Sequence, residues 1–163
     1  MKKLLIVYHS MTGGSSQMAH AAAAGASQSK EVIVELKRAP QTDARDVLSA
    51  DGYIFVTPEN LAAVSGLMKD FFDRTYYAAL DRLGGRPYAL LICAGSDGTG
   101  AARQVDRIAT GWRLRKASEP LIVCTHAQTP EAILAPKVIS KDDLGRCEET
   151  GATIALGMAA GIL

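Results

Sequence analysis

The sequence predicts an α/β fold, a three-layer sandwich around a five-stranded parallel sheet of order 2-1-3-4-5. Three observations predict it. Apolar runs of strand length alternate with helix-length segments along the whole chain, in the order βαβαβαβαβα. Most of these runs are nearly continuous in aliphatic and β-branched residues, as expected of parallel strands covered on both faces. No repeat, linker or low-complexity stretch interrupts the pattern apart from the Ala-rich segment 18–26, so one domain covers residues 1–163. The order 2-1-3-4-5 is chosen because right-handed crossovers make it a common solution, with the ligand edge at the switch between strands 1 and 3.

The first run, residues 3–8, is followed by a helix over 15–24. The second, 31–37, carries Glu31, Glu35 and Lys37, and its polarity suits an edge strand. A short helix follows at 43–49, and the third run is 52–56. Helical periodicity is clearest at 65–80, where Met68, Phe71, Phe72, Thr75, Tyr76 and Leu80 share one face. Lys69 with Asp73 and Asp70 with Arg74 form i,i+4 pairs away from that stripe. The fourth run, 88–93, precedes a helix at 99–114, and the fifth, 121–125, precedes one at 142–160.

Composition narrows the classes of function. A length of 163 residues, 48% hydrophobic and 21% charged, fits one ordinary globular domain with a sizeable core. The net charge of +1 provides no field that would favour nucleic acid or an anionic membrane, so no partner of either kind is expected. The five apolar residues after Met1-Lys2-Lys3 fall short of the roughly 7 to 15 of a secretory leader core. The uncharged stretch 151–163 falls short of the roughly 20 residues a membrane span needs, and reads as a docked helix. Cys93, Cys124 and Cys147 form no C-x-x-C pair, and a reducing cytoplasm fits them best.

The strongest local signal is Ser10-Met11-Thr12-Gly13-Gly14-Ser15-Ser16, between the first strand and the first helix. Glycine and hydroxyl residues at a helix start offer backbone N–H groups and side-chain donors to an anion at the positive end of the helix dipole. The turn contains no Lys or Arg, which excludes the nucleoside-triphosphate loop, and it is not G-x-G-x-x-G. The same residues also suit a capped turn that holds no ligand. Thr57-Pro58-Glu59-Asn60 follows the third strand; Pro58 stiffens it, and Glu59, Asn60 and Leu61 can offer main-chain groups. Gly95-Ser96-Asp97-Gly98 follows the fourth strand, where Gly95 and Gly98 permit close backbone approach, although a plain surface turn reads the same way. All three segments fall at strand C-terminal ends.

His9 and His126 also lie at strand ends, but in this sheet order their strands are about 14 Å apart at about 4.8 Å per spacing, too far to share one metal ion. His20 reads as a helix-face residue, and the cysteines as small hydrophobes. Arg103, Arg107, Arg113, Arg115 and Lys116 make the fourth helical segment basic; a solvated face explains this better than a nicotinamide phosphate or a protein partner. Residues 126–141, with Pro130 and Pro136, can fold over the ligand edge as a rim or serve only as padding.

The segment from Ser10 to Ser15 resembles the S/T-x-T-G-x-T/S phosphate loop of flavodoxins and their relatives, which bind the phosphate of FMN. Thr57-Pro58-Glu59-Asn60, with Ser65-Gly66-Leu67-Met68-Lys69-Asp70-Phe71-Phe72-Asp73, is similar to the region after strand 3 in flavodoxin-like NAD(P)H-dependent FMN and quinone reductases. Ala94-Gly95-Ser96-Asp97-Gly98-Thr99-Gly100 lies where that family has a second flavin-contacting loop. The chain departs from the commonest pattern in having Asn60-Leu61 after Glu59, where an aromatic often follows, and in lacking the aromatics that sandwich the ring in flavodoxins.

The resemblance implies a flavodoxin-like domain holding FMN through Ser10, Met11, Thr12, Gly13, Gly14, Ser15, Ser16, Pro58, Glu59, Asn60, Leu61, Gly95, Ser96, Asp97 and Gly98. It further implies a cytoplasmic oxidoreductase in which NADH or NADPH gives hydride to the flavin, and a quinone, free flavin or similar small acceptor takes the electrons. No side chain is expected as an acid-base catalyst, no metal is expected, and a homo-oligomer is compatible with the pattern. The alternatives are a flavodoxin-type electron-transfer carrier, whose usual acidic surface is missing here, and a flavin-free binding module. A phosphorylated receiver domain would need an Asp near the end of strand 3, where Thr57-Pro58 stands.

Overall fold

The computed structural model describes all 163 residues. In chain order the elements are β1 (Lys2–Tyr8), α1 (Gly14–Ala26), β2 (Val32–Arg38), α2 (Ala44–Ser49), β3 (Gly52–Asn60), β4 (Ala63–Val64), α3 (Gly66–Ala79), β5 (Pro87–Ala94), α4 (Thr99–Gly111), β6 (Arg115–Lys116), β7 (Leu121–Cys124), α5 (Pro130–Leu134) and α6 (Lys141–Ala159). The long strands pair in parallel as β2-β1-β3-β5, and both β6 and β7 continue the sheet beyond β5. This is the predicted order, with the polar β2 at one edge.

Strand residues alternate between two cores because successive side chains point to opposite faces. Leu5, Val7, Tyr53, Phe55, Leu90 and Ile92 meet the stripes of α3 and α4, including Phe71, Phe72, Val105 and Trp112. Phe55 is central, with ring centroids 5.2 Å from Phe72 and 6.5 Å from Trp112. Truncating such a ring to Ala costs about 3–5 kcal/mol. On the other face Leu4, Ile6, Ile54, Val56 and Leu91 meet α1 and α6. There Gly25 lies against the Glu148 carbonyl and Gly151 against the Ala22 carbonyl, so a Cβ at either position would overlap the opposite helix backbone.

Three details depart from the predicted elements, and two of them shape the ligand edge. The third strand does not stop at Val56: it continues to Asn60 and folds back on β4, with Glu59 opposite Val64 and Asn60 opposite Ala63. Leu61 and Ala62 form the two-residue turn at φ 51° and 63°, the left-handed pair that such a hairpin requires. Residues 130–134 form a helix, α5, whose N-terminus is capped by Thr129 accepting from the Ala132 N–H at 3.2 Å. The fifth strand is split, because Pro120 has no N–H to donate and the chain leaves the sheet between Lys116 and Leu121. No helix is long and apolar enough to cross a membrane.

Candidate functional site

The C-terminal ends of β1, β3, β5 and β7 converge on one edge of the sheet. Between them lies a narrow cavity of about 70 Å³ lined by Thr12, Pro58, Glu59, Asn60, Cys93, Ala94, Gly95, Thr125, Ala127, Ile133 and Lys137. None of these residues is aromatic. A broader depression of about 370 Å³ lies under the break in the fifth strand, between residues 117–121 and α6, and none of the predicted ligand loops reaches it.

The first turn is built around Gly13, which caps α1 at φ 95°. Its N–H donates to Ser10 Oγ at 3.0 Å, so the Ser10 hydroxyl staples the turn. The N–H groups of Gly14, Ser15 and Ser16, at the start of α1, have no acceptor within the chain. Ser15 is only 2% exposed, and its hydroxyl has no hydrogen-bond partner. An orphaned buried hydroxyl costs about 1–3 kcal/mol, so this one fits a site that receives an acceptor from outside the protein. Thr12 lines the cavity, Met11 is exposed, and the Ser16 hydroxyl lies 3.4 Å from His20 Nδ1.

The second segment ties its side chains to the neighbouring turns. Glu59 turns its carboxylate toward α4, accepting from the Gly98 N–H at 2.8 Å and the Ala101 N–H at 3.0 Å. Asn60 reaches Met11, with Nδ2 3.7 Å from Sδ, linking the hairpin to the first turn. Leu61, at the hairpin tip, is fully exposed and does not line the cavity. In the third segment Gly95 lines the cavity, whereas Ser96 and Asp97 are exposed at its rim. Asp97 accepts from the Thr99 hydroxyl at 2.7 Å and from the Thr99 N–H at 3.2 Å, and these bonds hold its carboxyl below the usual range. Gly98 is buried at φ 91° and caps α4.

Around the first turn the structure brings together further residues. His9, 8% exposed at the end of β1, shares a 2.7 Å hydrogen bond between Nδ1 and Ser65 Oγ, and Ser65 Oγ lies 3.1 Å from Thr57 Oγ1. Burial, and then the nearby Arg38 charge, push the His9 imidazole below its ordinary value. Cys93 packs under Gly14, and burial raises its thiol to about 11, which suits a small hydrophobe. Gln17 stitches α1 to the chain after α5: its amide nitrogen donates to Gly13 O at 3.0 Å and Lys137 O at 2.7 Å, and its oxygen accepts from the Ile139 N–H at 3.0 Å. The two prolines of 126–141 were the only signal for this crossing.

Comparison with known proteins agrees with this architecture. A flavodoxin from Aquifex aeolicus is 40% identical over 73 residues, covering 45% of this chain and 40% of that protein. An NAD(P)H dehydrogenase (quinone) from Acidithiobacillus ferrooxidans is 33% identical over 95 residues, covering 46% of this chain and 48% of its own length. The chain thus spans less than half the length of these curated relatives. A solved flavodoxin from the domain Archaea superposes with a TM-score of 0.76 at 18% identity, over 94% of this chain and 96% of that one, a likeness of fold. The profile of the NADPH-dependent FMN reductases matches residues 28–118, more than half of the chain, including the hairpin and the Gly95–Gly98 segment. With its parallel sheet and its loops gathered at the strand ends, the chain belongs to the NADPH-dependent FMN reductase family.

Proposed function

We propose that the protein is an FMN-binding oxidoreductase that takes reducing equivalents from NADH or NADPH and passes them to a small acceptor such as a quinone or free flavin. The observation that carries this reading is the first turn: three N–H groups without acceptors and one orphaned buried hydroxyl, gathered at the positive end of α1. A terminal phosphate satisfies all of them at once. FMN, when bound, supplies the redox chemistry.

The protein's share is binding, orientation and exclusion of water. Gly14, Ser15 and Ser16 would hold the phosphate, with Thr12 beside them at the cavity. Pro58 and Gly95 face the cavity from β3 and from the loop after β5, and would border the ring system. The Glu59 carboxylate is committed to α4, so its part is to hold the third segment in place.

The test is a titration of FMN and riboflavin by fluorescence quenching, followed by anaerobic addition of NADH or NADPH and then of a quinone. Tighter binding of FMN than riboflavin, bleaching by a nicotinamide and recovery of colour with quinone are expected. Equal affinity for the two flavins would remove the phosphate argument. The flavodoxin likeness supports a second reading, an electron carrier. Bound FMN that neither nicotinamide reduces would favour it.

A further inference from the structure

We propose that Lys137 is the missing cation of the anion cradle, brought to it by the strap between β7 and α6, and that binding of a phosphomonoester transfers its ammonium from protein carbonyls to the ligand. The inference rests on the proposed phosphate site and names a residue of it that the sequence motif does not contain.

A phosphomonoester carries about −1.5 to −2 charges near neutral pH, whereas a helix N-terminus offers about half a positive charge. The turn from Ser10 to Ser16 has no Lys or Arg to make up the difference. Lys137 lies beside it. Its backbone N–H donates to Thr12 O at 2.9 Å, and its Cβ would be 3.6 Å from a Cβ built on Gly14. With Thr12 and Cys93 it lines the cavity, and its positive charge is felt at the Cys93 thiol, which it favours toward ionisation against the larger effect of burial.

The ammonium has no carboxylate partner. Nζ donates only to main-chain oxygens at the end of α5: Ala132 at 2.8 Å, Ile133 at 2.8 Å and Ala135 at 2.6 Å. Carbonyls at the end of a short helix offset the charge only in part, and a phosphate is the better acceptor. The flexible four-carbon stem lets the ammonium swing while the backbone stays clamped by Gln17. The helix it now caps is lightly held, because none of the residues of α5 is buried.

The cavity gives the strap a reason to move. Ile133 helps to narrow it to about 70 Å³, against the roughly 300–1,000 Å³ of pockets that enclose cofactor-sized ligands. An outward shift of α5 would widen it and would release Lys137 from its carbonyl contacts toward the phosphate.

The experiment compares wild type, Lys137→Met and Lys137→Arg with three probes: FMN, riboflavin and phenyl phosphate. Dissociation constants come from flavin fluorescence, and phenyl phosphate is read as a shift in melting temperature. Lys137→Met is expected to weaken FMN about tenfold or more relative to riboflavin, with most of the loss restored in Lys137→Arg. It should also abolish the stabilisation by phenyl phosphate. Equal weakening of FMN and riboflavin, or an unchanged FMN affinity, would overturn the role of Lys137 while leaving the flavin reading in place. Should wild type bind neither flavin yet be stabilised by phenyl phosphate only when Lys137 is present, the flavin reading falls and the cation assignment stands. No response to any probe overturns both.

Discussion

The two strand-to-helix turns at the ligand edge are built alike and differ in what they leave open. Each ends in a left-handed glycine, Gly13 at φ 95° or Gly98 at φ 91°, that caps the following helix. At α4 the protein fills its own anion site: the Glu59 carboxylate accepts from Gly98 and Ala101, and Asp97 accepts from Thr99. At α1 no internal carboxylate does so, and Gly14, Ser15 and Ser16 keep free N–H groups. A glycine-capped helix start is therefore not itself a ligand site. What distinguishes the two is whether the protein supplies its own acceptor, and at α4 that acceptor comes from a residue 39 positions away from Gly98.

The largest expected difference between the turns is steric. A Cβ on Gly98 would lie 2.5 Å from Ile122 Cγ2, whereas one on Gly13 would meet nothing nearer than Gln17 Nε2 at 3.7 Å. Both Ala variants incur about 1–2 kcal/mol for the left-handed backbone, and Gly98→Ala adds about 1–3 kcal/mol of overpacking. Urea denaturation should rank Gly98→Ala well below Gly13→Ala; equal losses would mean that the two turns are packed equally tightly.

Converting one turn into the other is the next test. Glu59→Ala strips α4 of its carboxylate and should destabilise the fold by about 2 kcal/mol, as expected when buried donors lose a charged acceptor. The emptied helix start should then resemble that of α1. Sulfate should raise the melting temperature of Glu59→Ala more than that of wild type, and identical responses would show that Glu59 is not what closes this site to anions.

A smaller effect has opposite signs with and without ligand. Ser15→Ala removes an unsatisfied buried hydroxyl, so the ligand-free protein should melt no lower than wild type and FMN should bind about tenfold more weakly. A fall in melting temperature with unchanged FMN affinity would make Ser15 a structural residue only.

The smallest difference is in pH response. His9, at the foot of the first turn, is held neutral by burial and by Arg38, so its folded value lies below the about 6.5 of an unfolded histidine. Its contribution to stability is present above about pH 6.5 and is lost as pH falls from there toward the folded value. Asp97, in the second turn, is already held below the usual carboxylate range and does not titrate in that window. The urea midpoint should fall between about pH 7.5 and about pH 5.5 in wild type and fall less in His9→Gln. Parallel profiles would exclude His9 as the cause.

The alternation of strands and helices, the edge position of β2, the apolar stripe of α3 and the turn centred on Gly13 were all legible in the sequence, because each is a local pattern of period or residue type. The sequence did not reveal the β3–β4 hairpin: Leu61-Ala62 carries none of the Gly or Asn that announce a left-handed turn, and the Ala62 carbonyl packs against Gly100 at the start of α4. It also gave no sign that the Glu59 carboxylate would be spent on α4, or that Lys137 would come to rest against Thr12. Those placements join residues 39 and 125 positions apart. Propensity and periodicity act over a few residues, whereas contacts at such separations exist only after the sheet has ordered its strands and brought its C-terminal loops to one edge.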